Sequence, residues 1–408
     1  MTALAVPRLA GLRERFAPHF AQIAAGAAQR DRTGDLPHAQ IAQLAAAGFG
    51  AIRVPEAQGG AGATLPELFE LFVDLAAADS NIAQALRAHF AFVEDRLVAA
   101  PGPERDRWLE RFVNGELVGN SWTEVGAVTL GEVLTKVSPD GNGGFRINGT
   151  KYYSTGSIFA DWLDTYAERT DTGRRVIAAV SRHQEGVVLE DDWDGFGQRT
   201  TGTGTSTFTD AVVRPEDLID FETRFKYQTA FYQQVLLAVL AGSAKAAQRD
   251  FAGELKNRKR TFSHGAANIA GEDPQLLQVI GEVSAAAFAA AATVERVSHA
   301  LQAAYESALA LQAGQITVDD DEAANDAAEL ASAQAQVVLT PLVLNALTHA
   351  FDALAASATS VSKNLDRHWR NARTAGNHNP WVFKARLIGD LAVNEAPLPR
   401  IWAIGASK

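Results

Sequence analysis

Ser154-Thr155-Gly156 sets two hydroxyls and a glycine at the end of a strand-like run near the middle of this 408-residue chain. Hydroxyls donate and accept hydrogen bonds, and a glycine lets backbone approach a ligand closely. A second group is Lys256-Asn257-Arg258-Lys259-Arg260, the densest basic cluster in a chain of net charge −11. Guanidinium groups hold phosphate through paired donors; the other reading is a solvated helix C-terminus, where cations are favoured anyway. The nine histidines do not fall at metal-ligand spacing, so no metal is expected. There is no cysteine, which excludes disulfides, thiolate metal sites and cysteine nucleophiles. No Gly-x-Ser-x-Gly elbow occurs, against an α/β-hydrolase. The Gly-Thr-rich stretch Thr200–Thr205 lacks the Gly-Lys-Ser/Thr ending of a phosphate loop.

The elements that must position these groups change character twice. Residues from about 8 to 115 carry Ala, Leu, Gln, Glu and Arg at helical spacing. Val54–Gly62 breaks them as a loop, and Asp79-Ser80-Asn81 is placed to cap the helix that carries His89. From Leu117 to Val213 the period becomes two, with strands expected at Glu132–Val137, Phe145–Ile147, Lys151–Tyr153, Arg174–Val180, Gly186–Leu189 and Thr205–Val213. Asn148-Gly149 reads as a turn between two of them, since both residues tolerate positive φ. Helix then returns over 225–257, 274–313, 322–364 and 380–392, and four long helices suggest a bundle. Asp319–Glu322 is acidic where a helix begins, which suits the helix dipole better than a metal. The expected domains are 1–116 (helical), 117–220 (β) and 221–408 (helical bundle). The acidic balance argues against nucleic acid. The first ten residues lack the features of a signal peptide. The apolar runs Val235–Ala241 and Val337–Leu344 are too short to span a bilayer. The cytoplasm is the default compartment.

Helices, a β domain and a helical bundle, in that order, resemble the acyl-CoA dehydrogenase fold over nearly the whole chain. Ser121-Trp122-Thr123-Glu124 is similar to that family's Thr-Glu segment. Asn148-Gly149-Thr150-Lys151-Tyr152-Tyr153-Ser154-Thr155-Gly156 resembles its Gly-x-Lys-x-Trp-Ile-Thr-Asn run. Gly197-Gln198-Arg199 leading to Phe208 and Val212-Val213-Arg214-Pro215 resembles its Gly-x-Arg…Phe…Val-x-Val-Pro stretch. Trp369-Arg370-Asn371-Ala372-Arg373 resembles its Tyr-Arg-Asp-Ala-Arg. Two departures are informative. The dehydrogenases continue with Tyr-Glu-Gly-Thr, whose glutamate abstracts the substrate α-proton, whereas this chain reads Gly376-Asn377-His378-Asn379-Pro380, with no carboxylate between Arg373 and Asp390. The family's Gly-Gly loop, which holds the adenosine half of FAD from a neighbouring subunit, corresponds to Ala355-Ala356-Ser357-Ala358, which suits FMN better than FAD. Both departures, with Gly119-Asn120, Asp191-Asp192-Trp193 and Trp369–Thr374 followed by His378-Asn379-Pro380, resemble the two-component flavin monooxygenases of the dibenzothiophene monooxygenase type. Ala375 stands where that branch has a second histidine.

The resemblance implies reduced FMN delivered by a separate NAD(P)H–flavin reductase, O2 as co-substrate, a C4a-hydroperoxyflavin, and oxygenation of a small, largely apolar substrate at sulfur, nitrogen or carbon. It implies a homotetramer built as a dimer of dimers. Thr155 matches the threonine at flavin N5, with Ser154 beside it; Thr123 would meet the pyrimidine edge and Asn120 flavin or substrate. Lys259, Arg260 and Ser263 would hold the flavin phosphate. His378 occupies the place of the dehydrogenase glutamate and could move a proton near neutrality. His89 and Trp122 would line the substrate pocket with Asn120 and His378; each also reads as an ordinary core residue. The alternatives are an FAD-dependent acyl-CoA dehydrogenase with a relocated base and a catalytically silent ligand-binding relative.

Overall fold

The computed structural model describes residues 5–126 and 128–401; residues 1–4, which begin the segment read above for a targeting signal, lie outside them. Six helices come first: α1 (Ala5–Thr33), α2 (His38–Ala46), α3 (Leu65–Ala78), α4 (Ser80–Ala85), α5 (Arg87–Val98) and α6 (Pro103–Val113). Thr64 and Glu67 open α3 with reciprocal side-chain and backbone bonds. That helix is buried nearly all round, because it packs on α1 and on two helices of the C-terminal block. Asp79 does cap a helix, accepting from the Asn81 N–H at 3.0 Å, but that helix is α4. The chain turns at Leu86, and His89 rides on the next helix, α5.

Nine strands follow: β1 (Val118–Ser121), β2 (Thr123–Glu124), β3 (Lys136–Pro139), β4 (Phe145–Tyr152), β5 (Trp162–Arg169), β6 (Arg175–Ser181), β7 (Val187–Leu189), β8 (Ser206–Val213) and β9 (Leu218–Asp220). They form one mixed sheet in the order β7-β8-β4-β3-β5-β6-β9, with β1 parallel to β5 and β2 on β4. Three expectations need correcting. Asn148-Gly149 is not a turn: β4 runs through it, and the register against β8 shifts there as a bulge. A Cβ on Gly149 would lie 2.4 Å from Thr135 Oγ1, so the tight crossing requires glycine. Residues 132–135 are not strand, because the Glu124 carboxylate takes the Leu134 and Thr135 N–H groups that a ladder would use. β5, a long partner of β6 buried at Leu163, Asp164 and Thr165, was not expected at all.

The C-terminal block holds α7 (Gln228–Asn257), α8 (Pro274–Gln312), α9 (Val318–His349), α10 (Asp366–Gly376) and α11 (Lys384–Asn394). The helix expected over 322–364 stops at His349 and gives way to short turns; Ala355 takes a left-handed φ of 57° and Asn364 one of 51°. α10, outside the expected helices, packs on α7 and α9 and joins the bundle. Thr317 and Asp320 box the start of α9, while Asp321 and Glu322 pair with Lys226, so the acidic run is spent on a helix terminus and an ion pair. Residues 274–312 and 318–353 are long and apolar enough to cross a membrane by length and composition, which corrects the impression left by the shorter runs. Here they are bundle helices that pack on each other and on α7. α8 nevertheless leaves an alanine-rich face in solvent, with Phe288 77% exposed.

Candidate active site

The three blocks meet at a cavity of about 220 Å3. α5 contributes Arg87; the β1–β2 corner contributes Asn120, Trp122 and Thr123; α7 contributes Gln228 and Tyr232. His378 and Asn379 enter from the turn after α10, and Tyr153 from the end of β4. Trp122 breaks β1 from β2 and is fixed by its indole N–H, which donates to Asp164 at 2.9 Å. Its ring lies 5.9 Å from that of Tyr232, giving the cavity an aromatic wall.

His378 sits between two fixed partners. Its Nε2 is 3.1 Å from Arg87 Nη2 and its Nδ1 is 3.2 Å from Asn379 Oδ1. A guanidinium only donates, so Nε2 must accept and Nδ1–H must donate to Asn379, whose own amide donates to Gln233 at 2.8 Å. His378 is exposed towards the cavity, with protein packed closely around the rest of the ring. This enclosure, with the Arg87 charge beside it, pushes its pKa down, to about 3. The ring is therefore neutral at ordinary pH. Three buried polar atoms at this cavity have no hydrogen-bond partner: Arg87 Nε, Asn120 Oδ1 and the Tyr232 hydroxyl. Unsatisfied buried polar atoms are costly in a native protein. All three belong to residues that line one aromatic-walled space, which suits a planar ligand with polar edges such as the flavin ring.

The expected site residues divide. Asn120, Trp122, Thr123 and His378 all line this cavity. Ser154 and Thr155 turn away from it. Tyr153 takes a left-handed φ of 57° at the strand end, which puts its own ring on the cavity. Ser154 instead joins a hydroxyl chain with Ser121 and Ser206. Thr155 bonds Thr203 Oγ1 at 2.8 Å, and Thr203 bonds Thr201 at 2.7 Å. Gly156 approaches protein rather than ligand: a Cβ there would meet Ala85 O at 2.0 Å. His89 does not line the cavity. It is fully buried, edge-on to Phe90 and Phe112, and both nitrogens are used: Nε2 lies 2.9 Å from Gly50 O, and Nδ1 takes the Val118 N–H at 3.2 Å. Lys259, Arg260 and Ser263 are exposed, just past the far end of α7. Tyr232 lies near the start of that 30-residue helix, which spans about 45 Å at 1.5 Å per residue. One chain therefore cannot bring the basic cluster and the cavity to the same flavin. Lys151 and Glu124, from two of the resembling segments, form a buried ion pair at 2.5 Å that ties β4 to β2. Burial pushes the Lys151 ammonium down to about 8 while Glu124 favours its charge.

Residues 13–116 match the acyl-CoA dehydrogenase N-terminal domain and residues 235–382 the acyl-CoA dehydrogenase C-terminal domain. The chain belongs to the acyl-CoA dehydrogenase family. It is 26% identical to dibenzothiophene monooxygenase of Rhodococcus erythropolis, with 92% of this chain and 91% of that protein covered. It is 28% identical to a probable FMNH2-dependent monooxygenase of Pseudomonas putida over 97% of this chain and 98% of that one. The FMN-bound crystal structure of TdsC from Paenibacillus sp. A11-2 superposes with a TM-score of 0.86 at 25% identity, covering 95% of this chain and 98% of that one. Within the acyl-CoA dehydrogenase family this chain therefore stands with flavin-dependent monooxygenases. Its cavity agrees: among the described residues no aspartate or glutamate lines it, and His378 stands on its wall.

Proposed function

We propose that this member of the acyl-CoA dehydrogenase family is the oxygenating component of a two-component flavin monooxygenase. It takes reduced FMN from a separate NAD(P)H-dependent reductase and transfers one atom of O2 to a small, largely apolar substrate at sulfur, nitrogen or carbon. The observation that carries this reading is the cavity wall itself, where neutral His378 stands in place of a carboxylate and three polar atoms lack partners. Bound reduced flavin supplies the oxygen-activating chemistry. The residues of this chain supply the rest. Trp122 and Tyr232 offer rings against which a flavin or substrate packs, and they exclude water. Asn120 Oδ1 is an acceptor, and Thr123 a hydroxyl, for the polar edge of the ring. His378 stays neutral with its Nε2 lone pair taken by the Arg87 guanidinium, so it fixes that guanidinium on the cavity wall and can accept a proton at Nε2 only when Arg87 turns to another partner. The chain carries no nicotinamide-binding fingerprint, which favours a separate reductase.

A second copy would reconcile the basic cluster with the flavin. The exposed alanine-rich face of α8 suits burial in a homotetramer, and Lys259, Arg260 and Ser263 of one protomer could then reach the flavin phosphate of another. We place the protein in the cytoplasm. His378→Ala tests the reading. Product per reduced FMN consumed should fall by about a hundredfold, the low end for a lost general acid–base group, while flavin reoxidation by O2 continues. Parent-level coupling in the variant would remove His378 from the mechanism.

A further inference from the structure

Six arginines are buried among the described residues: Arg30, Arg53, Arg87, Arg96, Arg111 and Arg224. Five of them have a carboxylate partner, namely Asp79, Glu94, Asp95, Asp217 and Asp164 in the same order, skipping Arg87. Arg87 has none. It is 7% exposed, gives Nη2 to His378, lies with its guanidinium 4.9 Å from the Tyr232 ring centre, and leaves Nε without a partner. Among the described residues it is also the only arginine or lysine on the cavity wall. Burial lowers its pKa to about 10, so it remains charged at neutral pH. An uncompensated buried charge is among the most destabilising features a fold can carry. The other five sites show how this protein neutralises one when the protein itself is the intended partner. At Arg87 the partner is left to be supplied from the cavity.

We propose that the substrate is an organic anion whose carboxylate or sulfinate head pairs with Arg87, while its apolar body lies against Trp122 and Tyr232. The planar guanidinium presents donors in a fork that matches the two oxygens of such a head. The aromatic walls on the same cavity suit an aryl or short alkyl group. This deepens the oxygenase reading and rests on it for the fate of the ligand. The anion site itself does not depend on that chemistry.

The test is calorimetric titration of the full-length protein, with and without oxidised FMN. The probes are benzenesulfinate and methyl phenyl sulfoxide, which are alike in size but differ in charge. Benzenesulfinate should bind about ten- to a hundredfold tighter than the sulfoxide, the range of a charge-assisted hydrogen bond. Arg87→Met should abolish that preference and leave sulfoxide affinity unchanged; Arg87→Lys should restore part of it. Because Arg87→Met removes an unpaired buried charge, it should fold with a urea midpoint at or above the parent's. Equal affinities for the two probes in the parent would overturn the proposal. So would an Arg87→Met variant that loses FMN affinity but keeps benzenesulfinate, since the guanidinium would then serve the flavin. If benzenesulfinate binds through Arg87 yet no compound is oxygenated with reduced FMN and O2, the oxygenase reading falls and the anion site stands.

Discussion

His89→Phe separates a structural histidine from a catalytic one. In the folded chain His89 Nε2–H donates to Gly50 O, and Nδ1 accepts the Val118 N–H, fastening α5 to the turn after α2 and to the first strand. Phenylalanine keeps the bulk and the edge-on contacts with Phe90 and Phe112 but strands one buried carbonyl and one buried N–H. At about 1–3 kcal/mol for each unsatisfied group, the variant should lose about 2–6 kcal/mol of stability. His89→Gln, which can still donate and accept, should lose less. A pH dependence accompanies the loss. Burial lowers the folded pKa of His89 to about 4, against about 6.5 in the unfolded chain. As pH falls below 6.5 the unfolded chain takes up the proton first, so stability drops across the window from 6.5 to about 4. The total is on the order of 3 kcal/mol at 1.36 kcal/mol per unit. In His89→Phe that slope should be shallower by the same amount. Urea midpoints followed by helical circular dichroism at pH 7.5, 6 and 5 measure both effects. A variant with the parent's midpoint and collapsed flavin coupling would refute the reasoning and return His89 to the active site.

The Lys151–Glu124 pair should be asymmetric. Glu124→Gln leaves the Lys151 ammonium buried with only the Trp122 carbonyl besides the new amide, and should cost about 3–5 kcal/mol. Lys151→Met should cost less, because Glu124 keeps the Leu134 N–H, Thr135 N–H and Thr135 hydroxyl; urea midpoints in the reverse order would contradict this. Phe288→Glu puts a charge on the exposed α8 face, and, if that face is an interface between copies, light scattering should show a smaller particle than the parent's. An unchanged mass would remove that face from the interface.

The fold class was legible because the period of the apolar residues changes twice, from helical to alternating and back, and because several segments resemble one family. Locally the chain was harder to read. Asn148-Gly149 carries the residues of a turn, yet β8 pairs on both sides of it and Thr135 packs against the glycine, so tertiary contact makes it a bulge. The hydroxyls of Ser154 and Thr155 looked available in sequence, and only the left-handed backbone of Tyr153 turns them into the sheet. The motif matches pointed to His378, Trp122, Thr123 and Asn120, which the fold brings to one cavity. Arg87, Tyr232 and Asn379 were missed. A lone arginine on a helix carries no local signature, and what distinguishes Arg87 is that no acid among the described residues pairs with it, a property of how α5 packs against α7 and the turn after α10. His378-Asn379 were adjacent in the matched run, so the histidine's orienting partner was the one omission that sequence could have supplied.

The central claim is that this chain uses reduced FMN to activate O2. It is tested most directly by anaerobic titration with reduced FMN, followed by rapid mixing with oxygenated buffer while flavin absorbance is recorded. The account predicts tight binding of reduced FMN over oxidised FAD, and a bound flavin whose reoxidation passes through a species absent when free FMN meets O2. Preference for oxidised FAD, no such species, and bleaching on anaerobic addition of an acyl-CoA thioester would contradict it and make the protein a dehydrogenase.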